Sequence, residues 1–169
     1  MDFFDSTRVT FAEPIDMLYA CHGKVNRFCA QLDSLPAYVA ANGCTAAALD
    51  AMRQISLYFD TAAPLHHQDE EEDFFPLLLQ YAPDVGDVVA HLQGQHRHLH
   101  ESWLAVCGEF ARVRHDSSAT LDADVLRRFT EAYRQHLLLE EPLFERGRAV
   151  IPVEHLSCIG ERMAARRRQ

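Results

Sequence analysis

Apolar residues recur along this chain at alternating steps of three and four, the spacing that places side chains on one face of an α-helix. The pattern is clearest over residues 15–32, 85–113 and 125–143. The strict apolar–polar alternation of β-strands is not sustained anywhere. The pattern therefore predicts an all-α fold, a four-helix bundle whose helices bury their apolar faces against one another.

Prolines and glycines divide this pattern into helices. The predicted helices run from about residues 13 to 35, 43 to 81, 83 to 115 and 122 to 148. Pro36 is expected to end the first helix, and Pro64 is expected to break or kink the second. A short C-terminal helix is predicted after Pro152.

Length and composition are those of an ordinary globular chain. With 169 residues, 48% of them hydrophobic and 24% charged, the chain can bury a core without disulfides. No Gly/Ser-rich linker divides it. We therefore expect a single domain over residues 1–169, with the bundle core at about 13–148.

Charge and cysteine usage exclude several classes of partner. The formal charge of −9 argues against a nucleic-acid surface, and the one basic cluster, Arg166–Arg168, is expected to be a solvated tail. No stretch reaches the ~18 apolar residues needed to span a bilayer, so no membrane is expected. Five cysteines without a Cys-x-x-Cys pair, and no apolar signal segment, predict a cytoplasmic location.

Histidines occupy positions in the apolar seams where an aliphatic residue would be expected. Residues four apart on a helix share a face at about 5–6 Å, and several such pairs here combine histidine with glutamate or with a second histidine. Imidazole nitrogen and carboxylate oxygen together suit iron, manganese or zinc. The candidate metal ligands are His22 and the pairs His67 with Glu71, His96 with His100, and His136 with Glu140.

One of these pairs belongs to a pattern that occurs twice, in the second and fourth predicted helices. The two copies are His67-x-x-x-Glu71-Glu72-x-Phe74-Phe75 and His136-x-x-x-Glu140-Glu141-x-Leu143-Phe144. The repetition suggests symmetric halves of one site. Because buried ionisable groups without partners are costly, two cations are expected to supply the countercharge, with both glutamates bridging them.

Four segments together resemble a known family. They are Cys21-His22-Gly23, His66-His67-Gln68-Asp69-Glu70-Glu71-Glu72, His96-Arg97-His98-Leu99-His100 and His136-Leu137-Leu138-Leu139-Glu140. In their order and spacing, over about residues 13–148, the chain resembles the hemerythrin-like (HHE cation-binding) family. The resemblance implies an up-down-up-down bundle around an oxo- or hydroxo-bridged centre of two iron ions, held by five histidines and two bridging carboxylates. Zinc or manganese could substitute for iron.

The last carboxylate departs from the animal oxygen carriers of that family, which place an aspartate five residues after its histidine. Here Glu140 lies four residues after His136, and Glu141 holds the five-residue position. We choose Glu140 because it matches Glu71 in the internal repeat. Glu141 stays the alternative because Pro142 can bend the helix. The four-residue spacing resembles bacterial and regulatory branches, which weakens the expectation of a pure oxygen carrier.

Neighbouring polar residues are expected to lie outside the ligand set. His66, about 100° around the helix from His67, is expected to be exposed or to bond the outer side of a ligand. Glu70, Glu72 and Asp73 are expected to form a solvated face.

The ligand count leads to a functional expectation. Seven ligands with one bridge leave a coordination position open on one of two octahedral metals, which favours binding of a small diatomic ligand, dioxygen or nitric oxide. Sensing, storage, or handling of iron and redox stress all agree with this, and binding is favoured over catalysis. The alternatives are a di-iron enzyme with peroxidase, oxidase or iron-centre repair activity, and a metal-free helical interaction module.

Overall fold

The computed structural model describes residues 9–116 and 118–168, and these contain helices and no β-strand. The first helix is α1 (Pro14–Asn42). A second rod consists of α2 (Ala46–Leu57), a first π-helical turn (Tyr58–Ala62), α3 (Ala63–Asp69), a second π-helical turn (Glu70–Phe74) and α4 (Phe75–Tyr81). After a 3₁₀ turn (Pro83–Val85) come α5 (Gly86–His115), α6 (Ala123–Val150) and α7 (Val153–Arg166). The predicted all-α class is confirmed.

α1 continues through Pro36, so the prediction that this proline ends the helix is wrong. A proline inside a helix removes one backbone hydrogen bond, but Pro36 and Val39 are both buried here, and that burial keeps the chain helical. The helix ends instead at Gly43, whose φ of 76° lies in the left-handed region that glycine adopts without strain. The backbone N–H of Gly43 donates to the carbonyl of Val39 at 2.8 Å.

The second rod stays helical through Pro64, where a break or a kink was expected. Pro64 lies at the start of α3, directly after the first π turn, where the widened backbone spacing accommodates a residue that has no N–H to donate. The indole N–H of Trp103 on α5 donates to Asp60 in that turn at 2.7 Å and ties the rod to its neighbour.

The core consists of two apolar clusters. One is centred on Val25, Leu99 and Leu137, and the other on Leu18, Leu92 and Leu143. His22 on α1, His96 on α5 and Glu140 on α6 each lie between a member of one cluster and a member of the other. The fold therefore encloses its polar groups in the middle of the bundle.

The C-terminal helix predicted after Pro152 is present as α7 and packs against α1 and the second π turn. Its Gly160 lies directly against the backbone carbonyl of Phe11, leaving no room for a side chain. Within the part of the chain that the structure describes, no helix has the length and apolar character needed to cross a bilayer.

Candidate metal centre

Six buried ionisable side chains meet at one level of the bundle. They are His22 from α1, His66 from α3, Glu70 from the second π turn, His96 from α5, and His136 and Glu140 from α6. None of them is more than 5% exposed. Groups of this kind are rarely buried together unless each has a partner.

One cluster consists of His22, His66, Glu70 and Glu140, whose donor atoms all lie within 4.8 Å of one another. Nε2 of His22 is 3.1 Å from Oε2 of Glu140 and 3.9 Å from Oε1 of Glu70. Nε2 of His66 is 2.9 Å from the same Oε1 of Glu70. Two imidazoles and two carboxylates converging in this way form a donor set suited to a divalent cation.

The second cluster consists of His67, Glu70, His96 and His136, again with donor atoms within 4.8 Å. Nε2 of His96 is 3.2 Å from Nε2 of His136 and 3.4 Å from Oε2 of Glu70. Oε2 of Glu140 is 3.2 Å from Nε2 of His136. Glu70 belongs to both clusters and Glu140 contacts a histidine in each, so both carboxylates lie between the two clusters.

Three of the histidines are held from outside through their second ring nitrogen. Each of them donates a hydrogen bond from Nδ1. The acceptors are the carboxylate of Glu141 for His22 at 3.1 Å, the carboxylate of Glu71 for His96 at 2.6 Å, and the amide oxygen of Gln95 for His136 at 2.9 Å. Because these oxygens accept, each Nδ1 carries a proton, and in the neutral form of each ring Nε2 presents a lone pair to the interior. Proteins commonly orient histidine metal ligands with such outer partners.

His67 is held differently and borders a small cavity. Its ring stacks on that of His96 with centroids 3.9 Å apart, and its Nε2 is 3.1 Å from the hydroxyl of Tyr133. The cavity has a volume of about 30 Å³, and its wall also includes Trp103 and the exposed His100. That volume holds about one water or a ligand of similar size.

Several polar atoms of the clusters have no hydrogen-bond partner among the described residues. They are both ring nitrogens of His66, both carboxylate oxygens of Glu70, and Oε1 of Glu140. His66 Nε2 is close to Glu70 but is not oriented for a hydrogen bond. Each buried unpaired group costs about 1–3 kcal/mol, so this concentration at one site indicates a missing ligand. Nitrogen and carboxylate donors converging on two points fit two metal ions.

Burial and neighbouring groups shift the pKa values of Glu70 and Glu140 in opposite directions. Burial, followed by the negative charge of Glu140, holds the pKa of Glu70 well above its ordinary value. Burial also acts to raise the pKa of Glu140, but hydrogen bonds with His136 and His22 outweigh it and hold that pKa well below its ordinary value. Glu140 therefore carries the negative charge of the metal-free pair.

Burial also lowers the pKa of His66, His67 and His96, and the charge of a neighbouring histidine lowers each one further. These imidazoles are therefore neutral near pH 7, which is the form that binds metal.

The second π turn determines which residues of the acidic run, residues 69–73, face inward. Such turns widen the helix and rotate the residues that follow, and they are frequent at functional sites. Glu70 and Asp73 are 0% and 2% exposed, so the prediction that they form a solvated face is wrong, whereas Glu72 is exposed. His66, at 1%, is not exposed either.

α7 covers this acidic face with arginine. Arg166 contacts Asp69 at 2.5 Å and Asp73 at 2.9 Å, Arg162 contacts Asp73 at 2.5 Å, and Arg167 contacts Asp69 at 2.7 Å. The prediction of a solvated basic tail is therefore wrong for Arg166 and Arg167, because their guanidinium groups pair with buried carboxylates.

The sequence prediction named seven ligands, and the clusters contain five of them: His22, His67, His96, His136 and Glu140. The other two lie outside. The side chain of Glu71 is 39% exposed and bonds the outer nitrogen of His96, and His100 is exposed at the cavity. His66 and Glu70, which were expected outside the ligand set, lie inside it. Whether Glu71 and His100 bind metal stays a prediction that this placement disfavours.

The difference is one of register in the internal repeat. In the structure His66, Glu70, Glu71 and Phe74 correspond to His136, Glu140, Glu141 and Phe144. The rings of Phe74 and Phe144 pack edge to face, with centroids 5.4 Å apart. Adjacent histidines and adjacent glutamates satisfy the four-residue spacing in two registers, and no signal in the sequence separates them.

Comparison with known proteins agrees with this site. Residues 13–146 match the family model of the hemerythrin HHE cation-binding domain. The chain is also similar to an uncharacterized protein of Haemophilus influenzae, at 46% identity over 158 residues that cover 94% of this chain and 92% of that protein. With most of its length matched, and with histidine and glutamate clusters at its centre, the chain belongs to the hemerythrin HHE cation-binding family.

Proposed function

We propose that this protein holds two iron ions and binds a small diatomic ligand, dioxygen or nitric oxide, for sensing, storage or the handling of iron and redox stress. The observation that carries the proposal is the pair of four-donor clusters that share Glu70 between four helices. In this proposal α1, the second rod, α5 and α6 form an up-down-up-down bundle around the clusters.

The residues divide naturally between two ions. His22 and His66 would hold one ion, and His67, His96 and His136 the other. Glu70 and Glu140 would bridge them, since each contacts histidines of both clusters. Neutral imidazoles make this centre less anionic than the carboxylate-rich sites of ferritin-like bundles, which supports ligand binding more than oxygen activation. Zinc or manganese could occupy the same donors.

The cavity beside His67 supports a small ligand. At about 30 Å³, it has room for a diatomic molecule. Phe59, Leu99 and Phe129 make much of its wall apolar, which suits an uncharged ligand. When bound, the iron pair would supply reversible coordination and redox chemistry to a ligand in this cavity.

One contact favours a second candidate, a di-iron enzyme with peroxidase, oxidase or iron-centre repair activity. The hydroxyl of Tyr133 lies 3.1 Å from Nε2 of His67 at the cavity. Burial holds the pKa of Tyr133 well above its ordinary value, so the phenol keeps its proton and can donate a hydrogen bond at that point. A hydrogen-bond donor at this cavity can stabilise charge that develops on a ligand during turnover, as well as in simple binding.

Two measurements on one sample distinguish these functions. Protein loaded with ferrous iron without oxygen is exposed to dioxygen or nitric oxide, and its absorption spectrum is followed. A reversible spectral change at one ligand per iron pair supports binding. Hydrogen peroxide turnover above a free-iron control would move the assignment to the enzyme. Absence of both would contradict the proposal.

The cytoplasmic location expected from the sequence belongs to the same proposal. It is supported by the five cysteines, all of which carry free thiols.

A further inference from the structure

Arginines of α7 pair with some of the acidic residues at the metal centre and not with others. α7 lies outside residues 13–146, which the family model matches. Asp69 directly precedes Glu70, and Asp73 follows it by three residues. Both flanking carboxylates turn to α7, where Arg166 reaches Asp69 at 2.5 Å and Asp73 at 2.9 Å. Of these three buried carboxylates, Glu70 alone contributes to the metal clusters.

The other half of the internal repeat has no such arrangement. Beside Glu140, the residues that correspond to Asp69, Glu72 and Asp73 are Leu139, Pro142 and Leu143. Leu143 is 5% exposed and packs in an apolar cluster. The residues beside Glu140 are therefore uncharged, and Leu139 is exposed, whereas the carboxylates beside Glu70 are held by ion pairs.

We propose that Arg166, assisted by Arg162 and Arg167, is a positioning residue for the metal centre. It holds Asp69 and Asp73 away from the clusters and fixes the second π turn so that Glu70 bridges them. The inference rests on the proposed two-metal site and adds to it an element outside the residues that the family model matches.

The burial of Asp69 and Asp73 explains why their arginine partners are needed. Asp69 and Asp73 are 1% and 2% exposed, and a buried carboxylate that loses its cation is strongly destabilised. Without Arg166, Asp73 would keep only the exposed Arg162 and Asp69 only Arg167. The second π turn would then shift to bring these carboxylates to water or to the metals. Since Glu70 belongs to both clusters, that shift would weaken both ions together.

The test compares Arg166→Ala with Arg148→Ala. Arg148 also joins two helices, through Asp16 at 2.7 Å, but far from the clusters along α6. Cobalt(II) is the probe, because its visible spectrum reports the geometry of its ligands. Cobalt(II) is titrated into each metal-free variant at a temperature where circular dichroism shows that the variant is folded.

Arg166→Ala is expected to weaken cobalt binding about 10- to 100-fold and to change the cobalt spectrum, as losses of outer partners do. Arg148→Ala is expected to keep both properties of the wild type, although it loses an ion pair. Arg166→Lys should recover part of the affinity, since lysine keeps the charge but lacks the fork that reaches two carboxylates.

Wild-type affinity and spectrum in Arg166→Ala would overturn the inference while leaving the metal site intact. If wild-type protein itself binds no cobalt, the proposed function fails first, and the two failures are thereby distinguished. Should Arg166→Ala not fold, Asp73→Asn keeps the size of the side chain and removes the buried charge. A wild-type cobalt spectrum and affinity in that variant would equally overturn the inference.

Discussion

Nε2 of His96 lies 3.2 Å from Nε2 of His136 in the interior of the bundle. Each ring uses its Nδ1 proton for an outer partner, Glu71 or Gln95, so the two facing nitrogens both present lone pairs. Two acceptors at this distance repel unless a cation lies between them. The contact therefore makes sense as half of a metal site and not as a hydrogen bond within an ordinary core.

Glu70 and Glu71 provide a matched pair that tests which register of the repeat is correct. Glu70→Gln is expected to weaken iron binding by more than roughly 100-fold, because it removes a donor shared by both clusters. Glu71→Gln should cost less than about 10-fold, since an amide oxygen can still accept from His96. Metal titration of the two variants measures the difference.

The opposite order of the two variants would restore the register predicted from the sequence. Glu140→Gln and Glu141→Gln should repeat the contrast in α6, because Glu140 is buried between the clusters and Glu141 bonds the outer nitrogen of His22.

The sequence predicted the fold class and most of the site because both follow from helical spacing. His22, His96 and His136 interrupt apolar seams and lie in the core as expected. The register around Glu70 could not be predicted, because a π turn changes which residues face inward without leaving a signature in spacing. The burial of Asp73 depends on arginines about 90 residues later in the chain, so no local pattern indicates it.

His66 and His100 offer a second contrast. His66→Ala is expected to lower the metal content of purified protein, because it removes a buried donor with no other partner among the described residues. His100→Ala should leave metal content unchanged, because that side chain is exposed on α5. Elemental analysis of both variants decides, and loss of metal in His100→Ala alone would contradict the placement.

The metal-free protein is expected to lose stability as the pH falls through about 6.5. Burial lowers the pKa values of His66, His67 and His96 in the folded state, so the unfolded chain takes up protons first. Their contribution is complete above the unfolded value of 6.5 and decreases below it, by up to about 1.4 kcal/mol per pH unit for each histidine. The raised pKa of Glu70 has the opposite effect on stability, but it is one group and the histidines are three, so the histidines determine the sign.

Urea unfolding of chelated protein between pH 5 and pH 8 measures this dependence. A free energy of unfolding that stays constant, or that rises toward acid, would contradict the burial of neutral histidines.

Gly147 on α6 is expected to tolerate no side chain. A Cβ there would meet the ring of Phe74 at 2.7 Å, and that ring is fully buried in the second π turn. Gly147→Ala should therefore lower the free energy of unfolding by about 1–3 kcal/mol. Gly108→Ala is the control, since nothing lies within 4 Å of its Cβ position, and it should gain up to about 1 kcal/mol of helix propensity. Equal effects in denaturant unfolding would show that packing against Phe74 does not matter.

The number of metal ions per chain tests the central claim most directly. Wild-type protein is reconstituted with ferrous iron without oxygen, freed of unbound metal, and analysed for iron and protein on one sample while circular dichroism confirms the fold. The expected result is about two iron ions per chain, one for each four-donor cluster. A folded protein that retains fewer than roughly one iron ion per chain, and no zinc or manganese in its place, would contradict the account.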